Sequence, residues 1–79
     1  MKIANAKSCV YRGGEIDDSF GRSADLIALT ELQIVLDAGR CDLTPCSIPP
    51  YTHILQVREG DGGTLWSRSW LVTLVEERR

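Results

Sequence analysis

The segment Trp66-Ser67-Arg68-Ser69-Trp70 has the residue types and spacing that point most directly to chemistry. In an extended strand, alternate side chains share a face. Trp66, Arg68 and Trp70 then form one row, with a guanidinium between two indoles. Such stacking contributes about 0.5–1 kcal/mol when exposed and more when dry. Tryptophan and arginine are also the residues most enriched where proteins bind each other. The same row could stack the bases of a single nucleic-acid strand. Tyr51 and His53, expected on the neighbouring strand, extend the strip, so the predicted partner-binding residues are Trp66, Arg68, Trp70, Tyr51 and His53.

Cys9, Cys41, Cys46 and His53 make up a second constellation. Thiolates and an imidazole are zinc ligands, and Cys41 and Cys46 have a tolerable knuckle spacing. Cys9 would have to reach such a site from a distant strand, so free thiols and no cofactor are expected, with a small zinc domain as an alternative. His53 is the chain's one histidine. Any Ser-His-Asp or Cys-His arrangement must use it, and no neighbouring residue marks it as activated. The carboxylates Glu15, Asp17 and Asp18 lack the ligand run of a calcium loop. Gly60-Asp61-Gly62-Gly63 lacks the Lys-Ser/Thr and the helix of a phosphate loop. A non-catalytic protein is expected.

The elements that must position these residues follow from periodicity and turn chemistry. Residues 2–12, Gly13-Gly14 and Glu15-Ile16 read as a hairpin, because two adjacent glycines suit a two-residue turn with positive φ at both positions. That register sets Arg12 opposite Glu15 and Tyr11 opposite Ile16. Residues 24–38 read as the one helix, capped by Ser23 and ended by Gly39. Ala28, Leu29, Leu32, Val35 and Leu36 fall on one face at 100° per residue. Ile27 and Ile34 fall elsewhere, which suggests a helix covered on two sides or touching a second chain. The alternation of Leu32, Ile34 and Leu36 with Glu31, Gln33 and Asp37 is a rival strand signal. Length and caps favour the helix.

Residues 40–50, with Pro45, Pro49 and Pro50, read as an irregular connection. Residues 51–59 and 64–76 read as a second hairpin around a four-residue turn, pairing Val57 with Trp66, Leu55 with Arg68 and His53 with Trp70. Residues 71–75 are apolar on both faces, as in a central strand or an interface. The predicted fold class is α+β, with ββαββ order and one helix packed on a small antiparallel sheet, in a single domain spanning 1–79.

Composition sets the outer bounds. The chain has 79 residues, 43% of them apolar and 25% charged, with a net charge of −2. That length excludes a doubly wound nucleotide fold or a βα barrel. A domain of this size hides only about 60–65% of its unfolded surface, so its core is thin and self-association is expected. Charge is uneven. Lys2, Lys7 and Arg12 stand alone in residues 1–12, whereas Arg22 faces six acids in residues 13–39. The overall negative balance argues against a protein that grips phosphates. No apolar run reaches the length of a membrane span. An odd cysteine count and no secretion signal point to the cytoplasm.

The function expected is a non-catalytic cytosolic protein-interaction module. It would be a stand-alone inhibitor or accessory subunit, of the size class found among phage and mobile-element proteins. Its expected partner is another protein or a second copy in a homo-oligomer (dimer). A single-strand nucleic-acid binder is the alternative, and no membrane is involved.

Overall fold

The computed structural model describes residues 1–59 and 65–77, with the side chains of Glu59, Leu65, Trp66 and Ser67 left aside. The elements are β1 (Lys2–Arg12), β2 (Glu15–Asp17), α1 (Leu26–Asp37), β3 (Cys41–Pro45), β4 (His53–Glu59) and β5 (Leu65–Val75). They form one helix on a five-stranded antiparallel sheet of order β2-β1-β5-β4-β3. The α+β class stands, but the order is ββαβββ rather than ββαββ. Among the described residues no helix is long and apolar enough to cross a membrane.

The additional strand corrects the reading of residues 40–50. Cys41 to Pro45 pair with Val57 to His53, and only the stretch after Pro45 is irregular. Three prolines in eleven residues hid this strand. Pro45 is tolerated because it ends an edge strand, where one ladder donor is dispensable.

The β1–β2 hairpin has the expected register, Arg12 with Glu15 and Tyr11 with Ile16. Gly13 at φ 58° and Gly14 at φ 82° make the turn. Residues 22–24 then run back along the outer edge of β1. Ser8 N donates to Arg22 O, Ala24 N donates to Ala6 O, and Lys7 bridges Ser23. Gly21 sits so close to the Ser8 carbonyl that a Cβ there would collide with it.

This tether moves the helix start. Ser23 is held extended, so Asp25 takes the N-cap and its Oδ1 accepts from Ala28 N at 2.8 Å. At the other end Gly39 adopts φ 68°. Gly39 N donates to Leu36 O and Arg40 N to Val35 O, the paired bonds of a Schellman ending.

Ile3, Ala6, Leu32, Leu55, Val57 and Val72 form the core between helix and sheet. Leu32, 3% exposed, is the one fully buried helix residue. Gln33 fastens the helix to the edge of β1. Its Oε1 accepts from Ile3 N at 2.9 Å, and its Nε2 donates to Met1 O and to Asp37 Oδ1. The side-chain amide thus bonds the strand backbone as another strand would.

Strand β5 is central, as residues apolar on both faces require. Val72 faces the helix. Leu71 and Ile54 are buried on the other face, where the Thr73 hydroxyl holds Pro50 O in the β3–β4 arm. The arm is tied at its end as well, by Thr52 N to Val72 O and Leu74 N to Thr52 Oγ1.

The second hairpin exists, but its register differs by two residues. His53 pairs with Val72, Leu55 with Trp70, and Val57 with Arg68. Two causes add up. Glu59 pairs with Leu65, so five residues separate the strands instead of four, and a bulge between Val57 and Arg58 adds one more residue to β5. The turn expected at Gly60-Asp61-Gly62-Gly63 lies outside the described residues. A shift of two keeps every side chain beyond the bulge on its expected face.

Leu32→Ala is expected to cost about 2–5 kcal/mol, because it empties the helix's one buried position. Asp25→Ala should cost about 1 kcal/mol through the lost cap. Urea unfolding of both variants checks the order. Equal losses would show that Leu32 does not anchor the helix.

Candidate functional site

The outer face of the helix is built from apolar residues. Leu26 is 79% exposed, Ile27 72% and Ile34 61%. At 100° per residue these three and Thr30 lie roughly opposite Leu32. An isolated surface helix keeps that face polar. Beside it, between the helix and the start of β1, runs a groove of about 540 Å³. Leu26, Leu29 and Ile34 form its helix wall, and Lys2, Ile3 and Val75 its sheet wall. Val75 is itself exposed. Ridge and groove together form one continuous apolar surface.

The charges around this surface are segregated. Helix residues 26–37 contain Glu31 and Asp37 and no basic residue, and Lys2 stands on the opposite wall.

A second feature lies where β1 and β5 part. Their pairing ends at Cys9 with Ser69. Beyond it β1 continues against β2, through Val10 with Asp17, while β5 continues against β4. The gap is a cleft of about 300 Å³ whose lining includes Val10, Tyr11, Arg12, Arg68 and Trp70.

The residues expected to bind a partner are thereby dispersed. Trp70 packs half-buried against the helix-side core, and its indole N–H is buried with no partner among the described residues. Arg68 is exposed on the same face of β5 and lines the cleft. Trp66 pairs with Arg58 across the bulge, which interrupts the alternation a single row needs; its side chain lies outside the described residues. His53, half-buried, pairs with Val72 and has its Nδ1 2.8 Å from Thr52 Oγ1. Tyr51, also half-buried, belongs to the arm, its N–H bonded to Ile48 O. The structure brings Arg68 and Trp70 together with Arg12 and Tyr11, not with Tyr51.

The four residues of the zinc alternative are likewise spread. Cys41 packs on the helix-side core beside Val57. Cys9 lies in the row of Ser69, on the opposite face, near enough to Cys46 for their charges to interact. Among the described residues no three His, Cys, Asp or Glu side chains converge as a metal site would. Burial pushes the Cys9 thiol up from its ordinary range, helped by the Asp18 and Cys46 charges and opposed by the Leu71 backbone N–H. Burial also raises Cys41, helped by Asp42 and opposed by Arg58.

Arg12, Tyr11 and Leu26 were not singled out by sequence reasoning. The signal for the first two was length: eleven residues of β1 outrun the three that β2 can pair. Ile27 and Ile34 were legible as an apolar pair off the main face.

Comparisons of the chain with protein-family models, curated proteins and solved structures return no match.

Cys9 and Cys41 should alkylate more slowly at pH 8 in the folded protein than in the urea-unfolded chain, because burial disfavours the reactive thiolate. The sign for stability follows. Both thiols hold more protons when folded, so their contribution is complete below the ordinary thiol range and declines as pH rises through the raised values. Peptide-resolved mass spectrometry after brief iodoacetamide treatment reads the rates. Equal rates in both states would contradict the burial.

Proposed function

We propose that this protein is a non-catalytic protein-interaction module of the cytoplasm that works as a dimer of identical chains. The observation that carries the reading is the apolar outer face of the helix, Leu26, Ile27 and Ile34, beside its groove. Fully burying one such side chain is worth about 1.5–3 kcal/mol. Three of them on a thin-cored domain favour a covering surface over solvent. Large exposed apolar patches on small proteins mark interaction sites.

A second copy fits the patch for two reasons. Ile27 and Ile34 are seven residues apart, the heptad spacing, and β-branched residues at such a repeat favour parallel two-stranded pairing. A two-fold axis running along the helix lays ridge on ridge. The same rotation carries the Lys2 wall of one copy over the Glu31 flank of the other, so unlike charges meet. A ridge of three side chains makes a small interface, which fits a weak and reversible dimer. An inhibitor or accessory role would then use the surfaces that this pairing leaves open.

Sedimentation equilibrium tests the reading. The wild-type chain should associate in the micromolar range, and more weakly as salt rises. Ile27→Glu with Ile34→Glu should be monomeric with a nearly unchanged melting temperature, because both positions face solvent in the single chain. A monomeric wild type at millimolar concentration, or a double variant that still associates, would overturn it.

A further inference from the structure

We propose that the groove between α1 and the start of β1 is a binding site for a single-chain carboxylate amphiphile, a fatty acid of about ten carbons. Three observations combine. The first is what the groove has left to offer a ligand. Its lining is apolar apart from Lys2, Thr30 and Gln33. Two of these three are already satisfied within the chain. Thr30 Oγ1 donates to Leu26 O at 2.8 Å. The Gln33 amide accepts from Ile3 N and donates to Met1 O and Asp37 Oδ1. Such a surface selects a ligand with a long apolar part and one polar head, because a further polar group laid along it would lose water without gaining a partner.

The second observation is charge. Among the described residues Lys2 makes no ion pair, and no carboxylate lines the groove. Glu59 and the connection that follows it adjoin Leu65. Lys2 pairs with Val75, ten residues and about 33 Å further along β5. Residues 78 and 79 are arginines. The charge that the groove presents is therefore positive, and a carboxylate head suits the Lys2 ammonium.

The third observation is where that charge stands. Gln33 bonds Ile3 N, whereas Ala24 N bonds Ala6 O, so helix and strand pass each other in opposite directions. Lys2 is thereby placed at the Ile34 end of the groove, with Leu26 at the other. From Ile34 back to Leu26 the helix wall runs eight residues, about 12 Å. An extended chain of roughly ten carbons covers that length at C–C bonds of ~1.5 Å. The head sits at Lys2, and the tail passes Leu29 toward Leu26. The site needs one chain only, so it does not rest on the dimer. Ile27, on the ridge, lies outside the lining.

The probe is decanoate, titrated into methyl-¹³C-labelled protein. Octanoate, decanol and decyltrimethylammonium serve as comparisons. The expected result is saturable one-to-one binding of decanoate, with methyl shifts concentrated at Ile3, Leu26, Leu29, Ile34 and Val75. Octanoate should bind about fifteenfold more weakly, as two methylenes at ~0.8 kcal/mol each require. Lys2→Gln should weaken decanoate by about threefold, the loss of one exposed ion pair, and leave decanol unchanged. Leu26→Glu, at an exposed position, should abolish binding while the methyl spectrum shows the fold intact. Ile27→Glu should bind decanoate as the wild type does, whether or not the chain dimerises. Equal binding of octanoate or of decyltrimethylammonium would overturn the proposal. So would shifts away from the groove, loss of binding in Ile27→Glu, or no saturation at millimolar decanoate.

Discussion

The helix is apolar around most of its circumference, and that constraint governs the rest of the molecule. Leu32 is pressed into the core while Leu26, Ile27 and Ile34 point away from it. One sheet can cover only one side of a helix. The buried side fixes where the helix lies, and the uncovered side defines the surface from which a function can be argued. Because only one helix residue is fully buried, polar bonds at the edges matter. Gln33 bonds the β1 backbone, Asp25 caps the first turn, and the Schellman bonds end the last. Each is individually modest, about 0.5–1.5 kcal/mol, but they act where hydrophobic burial is thin.

The sheet solves a related problem at β5. Its sequence is apolar on both faces, so both faces need cover. The helix supplies it on the Val72 side. On the Leu71 side the arm between β3 and β4 is pinned by Thr52 and Thr73. β1 pairs with β5 from Lys2 to Cys9, and its last residues pair with β2 on the other edge and not with β5. The fork is the geometric result of those two pairings, and it concentrates Arg12, Arg68 and Trp70 at one end of the sheet.

Much of this was legible from residue types. Gly13-Gly14 determined the first register, Gly39 the helix end, and the doubly apolar run of residues 71–75 the centre of the sheet. What escaped had physical causes. Cys41–Pro45 carries strand alternation for only five residues among three prolines, and its pairing comes from β4, which is distant in sequence. The N-cap moved from Ser23 to Asp25 because a tertiary bridge to Lys7 holds Ser23 extended, and local propensity cannot register such a bridge. The second hairpin shifted by two because a longer connection and a bulge each added a residue. The site was legible in part. Ile27 and Ile34 stood out as apolar residues off the main face. The Trp66, Arg68, Trp70 row assumed unbroken alternation, which the bulge interrupts, and the fork depends on where two pairings diverge.

The central claim is that the outward ridge of one chain meets the same ridge of another. An isotope-filtered NOE experiment on a mixture of labelled and unlabelled chains tests it most directly. The two-fold axis along the helix brings like residues together. The account expects intermolecular NOEs between Ile27 methyls of the two copies and between their Ile34 methyls, with none linking Ile27 of one copy to Ile34 of the other. NOEs linking Ile27 to Ile34 would mean an antiparallel pairing, and intermolecular NOEs confined to the β1–β5 fork would mean that the ridge is not the interface. Either result would contradict the account.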